Sequence, residues 1–252
     1  MRSSIRTLLR VATACLATAT LGACAAQSGG AGAEGSVQVR LAEVALRTGN
    51  PSGALQLADR ALTARHDDTG ALLVRGEAYT RLGELRAADK DFTRVLKAQP
   101  EAVGALIGLG RLRLADDPAA AEALFRHALD RAPGEPTALN DLGIALDLQG
   151  QHAAAEHSYR RALLLQPDLT AARVNLALSL ALGGQGPAAV AMMRGVASTP
   201  KADAKLREDY AAVLTMAGDH AQAQAILSAD MPASQASAEL DAIAAGVPVV
   251  QR

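Results

Sequence analysis

The sequence contains no tryptophan and only three tyrosines and two phenylalanines in 252 residues. That shortage argues against sheets, which draw on aromatic and β-branched side chains. The 50% of residues that are hydrophobic are mostly Ala and Leu, which favour closely packed helices. The expectation is an all-α chain. Cysteine is nearly absent too: Cys15 and Cys24 are the two present, which excludes a disulfide framework or a cysteine metal site beyond residue 24. Neither charge dominates, with 25 basic and 26 acidic residues and a net charge of −1, so no basic footprint for nucleic acid exists.

Catalytic signatures are missing as well. No G-x-S-x-G, phosphate-binding loop or dinucleotide fingerprint follows a strand, because no segment reads as a strand. His66, His127, His152, His157 and His220 form no ligand pair, and His152 and His157 lie on different faces of a helix. They are read as solvated surface side chains. Asp67-Asp68 and Asp116-Asp117 fall in turns between helices, where capping and helix-dipole charge explain them. The expectation is a chain that is not an enzyme, with no catalytic residue, metal, cofactor or small-molecule substrate.

What is present is a repeat. In residues 136–169, Leu139, Leu142, Gly143 and Leu146 place an apolar stripe on one helix, and Gly150 breaks it. Ala155, Tyr159, Ala162 and Leu163 form the stripe of a second helix, which Pro167 ends. The turn glycines Gly49, Gly83, Gly150, Gly184 and Gly218 recur at steps of 34, 67, 34 and 34. Within the step of 67, Asp116-Asp117-Pro118 supplies the turn, with Asp117 as N-cap and Pro118 at the first helical position. A small residue in each first helix keeps the same register: Ala42, Gly76, Gly110, Gly143, Ala177 and Ala211. Phe92, Phe125 and Tyr159 share one position of the second helix, while Pro100, Pro133, Pro167 and Pro200 close successive units. The count gives six helical hairpins over 35–68, 69–102, 103–135, 136–169, 170–203 and 204–232. Residues 233–252 read as a capping helix, with Leu240 and Ile243 inward, and a frayed tail that could also lie along the array.

The beginning of the chain differs. Residues 1–10 carry Arg2, Arg6 and Arg10 and no acid, and 11–21 is a short apolar run, the layout of a signal peptide over 1–23. A run this short falls below the roughly 20 residues of a membrane-spanning helix. Removing the three leader arginines leaves 22 basic residues against 26 acidic, or −4. Leu21-Gly22-Ala23-Cys24 resembles the bacterial lipobox, which implies lipidation at Cys24 and a membrane anchor. Residues 24–34 are small and polar, the composition of a flexible tether. Ala25 stands where a retention signal for the inner membrane would place Asp. By that resemblance the chain is expected on the periplasmic face of the outer membrane.

The hairpin of 136–169 resembles the tetratricopeptide repeat, with its small residues at Gly143, Ala155 and Ala162, aromatic at Tyr159 and proline at Pro167. The resemblance implies a right-handed α-solenoid with a groove lined by the first helices. Applied here, it places Leu73, Ile107, Leu114, Ile144, Leu148, Val174, Leu178 and Leu182 on the groove wall as a partner-binding surface. Asn175 and Lys205 partly match the clamp with which some such repeats hold a terminal carboxylate, although Ile144 and Asp209 stand where its polar and basic members belong. Lipobox, tether and repeats together, with Asn175 through Gly184 and the segment ending Ser228-Ala229-Asp230-Met231-Pro232, resemble the TadD-like lipoproteins of the tight-adherence (Flp) pilus machinery. Asp209-Tyr210 departs from that pattern, where a second Asn-Leu is expected. The resemblance implies a binding scaffold that assists assembly of the pilus secretin. A periplasmic adaptor for type IV pili or cell-wall synthesis is the alternative, and an unrecognised enzyme a third.

Overall fold

The computed structural model describes residues 35–197 and 204–245. Among these, thirteen α-helices and no strand are present, so the expected all-α class of repeated hairpins holds. The predicted leader, Cys24, the tether, Pro200 and the tail from residue 246 lie outside the described residues.

The first helix, α1, covers residues 35–47. It is followed by α2 (Pro51–Ala64), α3 (Thr69–Leu82), α4 (Leu85–Ala98), α5 (Val103–Arg113), α6 (Pro118–Arg131) and α7 (Pro136–Asp147). The remainder are α8 (His152–Leu165), α9 (Thr170–Leu182), α10 (Gly186–Ala197), α11 (Ala204–Met216), α12 (His220–Leu227) and α13 (Ala233–Ala244). The chain divides into two compact units, Met1–Gly108 and Leu109–Arg252, with the division inside α5.

Turn chemistry sets the hairpins. Gly49, Gly83, Gly150, Gly184 and Gly218 all have positive φ, between 73° and 87°, a region that costs a side-chain-bearing residue energy. After each, an amide returns to a carbonyl five residues back, as in Gln151 N–H to Leu146 O at 2.9 Å and Gln185 N–H to Leu180 O at 2.7 Å. That closure satisfies helix-end carbonyls that would otherwise face nothing. The repeat without a glycine turn behaves as its residues demand: Asp117 accepts from the Ala120 N–H at 2.9 Å and Pro118 opens α6. Asp68 likewise caps α3 through the Ala71 N–H.

In Met1–Gly108, α1 packs Ala42 and Leu46 against Ala54 of α2 and Val74 and Ala78 of α3, and α3 pairs with α4. In Leu109–Arg252, α7 pairs with α8, α9 with α10 and α11 with α12, and the first helices α7, α9 and α11 touch in succession. In three hairpins the glycine of the first helix makes room for the ring of its own second helix. A Cβ on Gly76 would lie 2.6 Å from Phe92, on Gly110 2.5 Å from Phe125 and on Gly143 2.4 Å from Tyr159. The space left at Gly143 is thus taken up by the tyrosine ring. Finally, α13 packs on α11 and α12, burying Ala236 and Leu240, with Ile243 half-buried. Among the described residues it does not reach α7 or α9.

Candidate functional site

The first helices α7 and α9 of the second unit carry apolar side chains beyond those their hairpins enclose. Ile144 and Leu178 are half-buried, Leu148 is 36% exposed and Leu182 51% exposed. Leu114 is half-buried in the same unit. Val174, placed on the same wall from the sequence, is 2% exposed and so is packed in the interior. In the first unit Ile107 is buried, and Leu73 is half-buried over Gly104, whose backbone it approaches closely enough that a Cβ would sit 3.0 Å away. A partner can therefore touch Ile144, Leu148, Leu178 and Leu182, while Val174 and Ile107 offer it little.

A chain of polar contacts runs across α5, α7 and α9 in the second unit. Arg111 Nε donates to Asp141 Oδ2 at 2.6 Å, Asn140 Nδ2 to Asp141 Oδ1 at 3.1 Å, and Asn175 Nδ2 to Asn140 Oδ1 at 3.0 Å. Asp141, Asn140 and Asn175 are all buried. Burial pushes the Asp141 carboxyl above its ordinary value, and the charge and hydrogen bond of Arg111 oppose that rise. These contacts tie α5 to α7 and α7 to α9. Asn175 thus spends its amide on Asn140, and Lys205 lies 3.3 Å from Asp209 and 3.6 Å from Glu208. The residues that resembled a carboxylate clamp are engaged with their neighbours.

A second hub lies at Asp147. Tyr159 Oη donates to Asp147 Oδ2 at 2.9 Å, Ser179 Oγ to Oδ1 at 2.8 Å, and His152 Nδ1 lies 2.9 Å from Oδ1. Burial first, and then the Asp147 charge, raise the Tyr159 phenol above its usual value. His152, expected on the solvated surface, is half-buried in this network because the turn after Gly150 brings it back onto α7. Gln149 donates to the buried Glu122 at 2.6 Å and Gln185 to the buried Glu156 at 2.7 Å, one repeat apart. In the first unit Arg75 joins Asp91 and Asp59, and the Asp91 carboxylate above all raises its already high value. Sequence reasoning missed these networks; the adjacent polar pair Asn140-Asp141 inside an otherwise apolar helix was the available signal. No group of three or more acidic, histidine or cysteine side chains that could hold a metal occurs among the described residues.

Models of the tetratricopeptide repeat match residues 39–88, 73–136, 112–168, 140–203 and 204–229, almost the whole helical array. The chain belongs to the tetratricopeptide-repeat family. No curated protein matches its sequence. Among similar solved structures, PilW, a widely conserved type IV pilus biogenesis factor, is 25% identical with a TM-score of 0.71, covering 83% of this chain and 97% of PilW. PilF of Pseudomonas aeruginosa, at 16% identity and TM-score 0.67, covers 84% of this chain and 99% of its own. A thermophilic repeat protein of Thermus thermophilus is 23% identical, with TM-score 0.63, over 71% of this chain and 98% of that one. Repeats of this family present side chains to other proteins, which makes this chain a protein-interaction scaffold.

Proposed function

We infer that this chain is a non-catalytic adaptor of pilus assembly, lipid-anchored through Cys24 on the periplasmic face of the outer membrane, that binds the secretin of a tight-adherence apparatus. The observation that carries the binding role is the set Ile144, Leu148, Leu178 and Leu182, left partly open to solvent on α7 and α9. Apolar side chains grouped this way mark interaction sites. At about 25 cal/mol per Å² of apolar area, a segment covering a few hundred Å² gains several kcal/mol before ordering costs, which supports reversible binding. The likeness to PilW supports pilus assembly and equally favours a second reading, an adaptor of the type IV system. Anchoring rests on the lipobox resemblance at Cys24.

The test is Ile144→Glu combined with Leu178→Glu. Docking would force two carboxylates out of water, so capture should weaken by on the order of tenfold or more while the fold persists. Secretin is scored in material co-purified from gently solubilised outer membranes. A folded double variant that brings down as much secretin as the wild type excludes α7 and α9 as the binding face. Capture of a type IV pilus component instead would favour the second reading.

A further inference from the structure

The opening helix of the array carries an apolar stripe that nothing in the described fold covers. Val37, Leu41 and Val44 are spaced four and three residues apart, which puts them on one side of α1, and they are 42%, 48% and 43% exposed. The opposite side carries Ala42 and Leu46, buried against α2 and α3. Arg40 and Arg47, both exposed, flank the stripe along one edge, with Glu43 a step further round the helix.

Two observations say what covers it. In later repeats the first and last of these positions are held by Ala71 and Ala78 in α3, and by Ala138 and Ala145 in α7, each fully buried. Those alanines let a preceding helix pack closely. In α1 the same positions hold valines, too bulky for that approach, yet they are not the polar residues that normally finish the outer face of a terminal repeat. The stripe is therefore suited to a deformable apolar phase more than to another hairpin. The second observation is distance. Gly35 is eleven residues from Cys24, and a stretch of that length reaches at most about 40 Å.

We propose that Val37, Leu41 and Val44, with Arg40 and Arg47, form a membrane-surface contact that lays α1 on the phospholipid layer holding the Cys24 acyl chains. This rests on the lipid anchor. The tether turns a weak contact into an intramolecular one, so three aliphatic side chains suffice where they would not hold a free protein. The two guanidinium groups meet anionic headgroups beside the buried stripe, as in interfacial helices. The contact orients the array at the membrane from its first helix.

In the lipidated chain the Cys24 thiol is acylated, so an introduced cysteine is the sole free thiol. Chains carrying Leu41→Cys, Val44→Cys or, on α4, Ala98→Cys are labelled with an environment-sensitive nitrobenzoxadiazole probe. They are reconstituted into vesicles of phosphatidylethanolamine and phosphatidylglycerol, with or without brominated acyl chains. All three should float with the vesicles, and brominated lipid should quench positions 41 and 44 but not 98. Arg40→Glu with Arg47→Glu should float equally and lose most of the quenching at 41. Flotation without quenching at 41 and 44 overturns the contact, as does equal quenching at 98. A blue shift at 41 that rises with protein concentration and ignores brominated lipid overturns it in favour of a second copy of the chain. Failure to float overturns the anchor and this inference together.

Discussion

At Gly143 a Cβ would lie 2.4 Å from Tyr159 Cε1, closer than real side chains come, and the tyrosine is itself fixed by Asp147 at 2.9 Å. Gly143→Leu therefore leaves the ring nowhere to go, and a loss of about 1–3 kcal/mol or more is expected from overpacking. Urea titration followed by circular dichroism measures it. An unchanged midpoint would mean that the glycine–aromatic register is misassigned. Asp141 supplies a pH-dependent effect. Burial holds its folded value above the ordinary 3.8, so the folded state binds more protons than the unfolded state in the interval just above 3.8. The stabilising contribution is complete below 3.8 and is lost as pH rises through the raised folded value. Relative to Asp141→Asn, the wild type should lose stability between acid pH and neutrality. Parallel stability curves for the two proteins across that interval would contradict it.

At the scale of elements, α13 acts as the end of the second unit. Its packing on α11 and α12 buries Leu240 and Ala236, and full burial of one leucine is worth about 1.5–3 kcal/mol. Truncation after Pro232 should lower the melting temperature and promote association through the uncovered faces of α11 and α12. It should leave the exposure of Leu178 and Leu182 on α9 unaltered, since α13 does not touch that helix among the described residues. A truncated protein that melts as the wild type does would remove α13 from the cap. Gained secretin capture on truncation would instead point to residues beyond α13 lying over the site.

For the whole molecule, the proposed anchor at Cys24, the last cysteine of the chain, is open to a direct test. Cells fed labelled palmitate should incorporate it into the wild type and not into Cys24→Ser, whose product should also leave the membrane fraction. Equal labelling of both proteins would refute the anchor. Among the described residues no helix is long and apolar enough to cross a membrane. Anchor, α1 stripe and the face of α7 and α9 would then give one chain both a fixed address and a binding surface.

The sequence by itself determined the repeat. Glycine is scarce at 22 residues, and five at positive φ fall one or two repeat lengths apart, so the turns were legible from spacing alone. Asp117-Pro118 could be read equally well, because capping and a fixed proline φ are local properties. Which side of each helix stays open was decided only by tertiary structure. Helix α9 bears Val174, Leu176, Leu178, Leu180 and Leu182, apolar nearly all round, so periodicity could not tell that Val174 is enclosed while Leu182 stands half in solvent. The polar networks were hidden for the same reason. Arg111, Asp141 and Asn175 are about a repeat apart in the chain and meet only after stacking, and a buried carboxylate is tolerable only once those partners are in place. Local chemistry writes the hairpin; the neighbouring hairpin decides what each side chain is for.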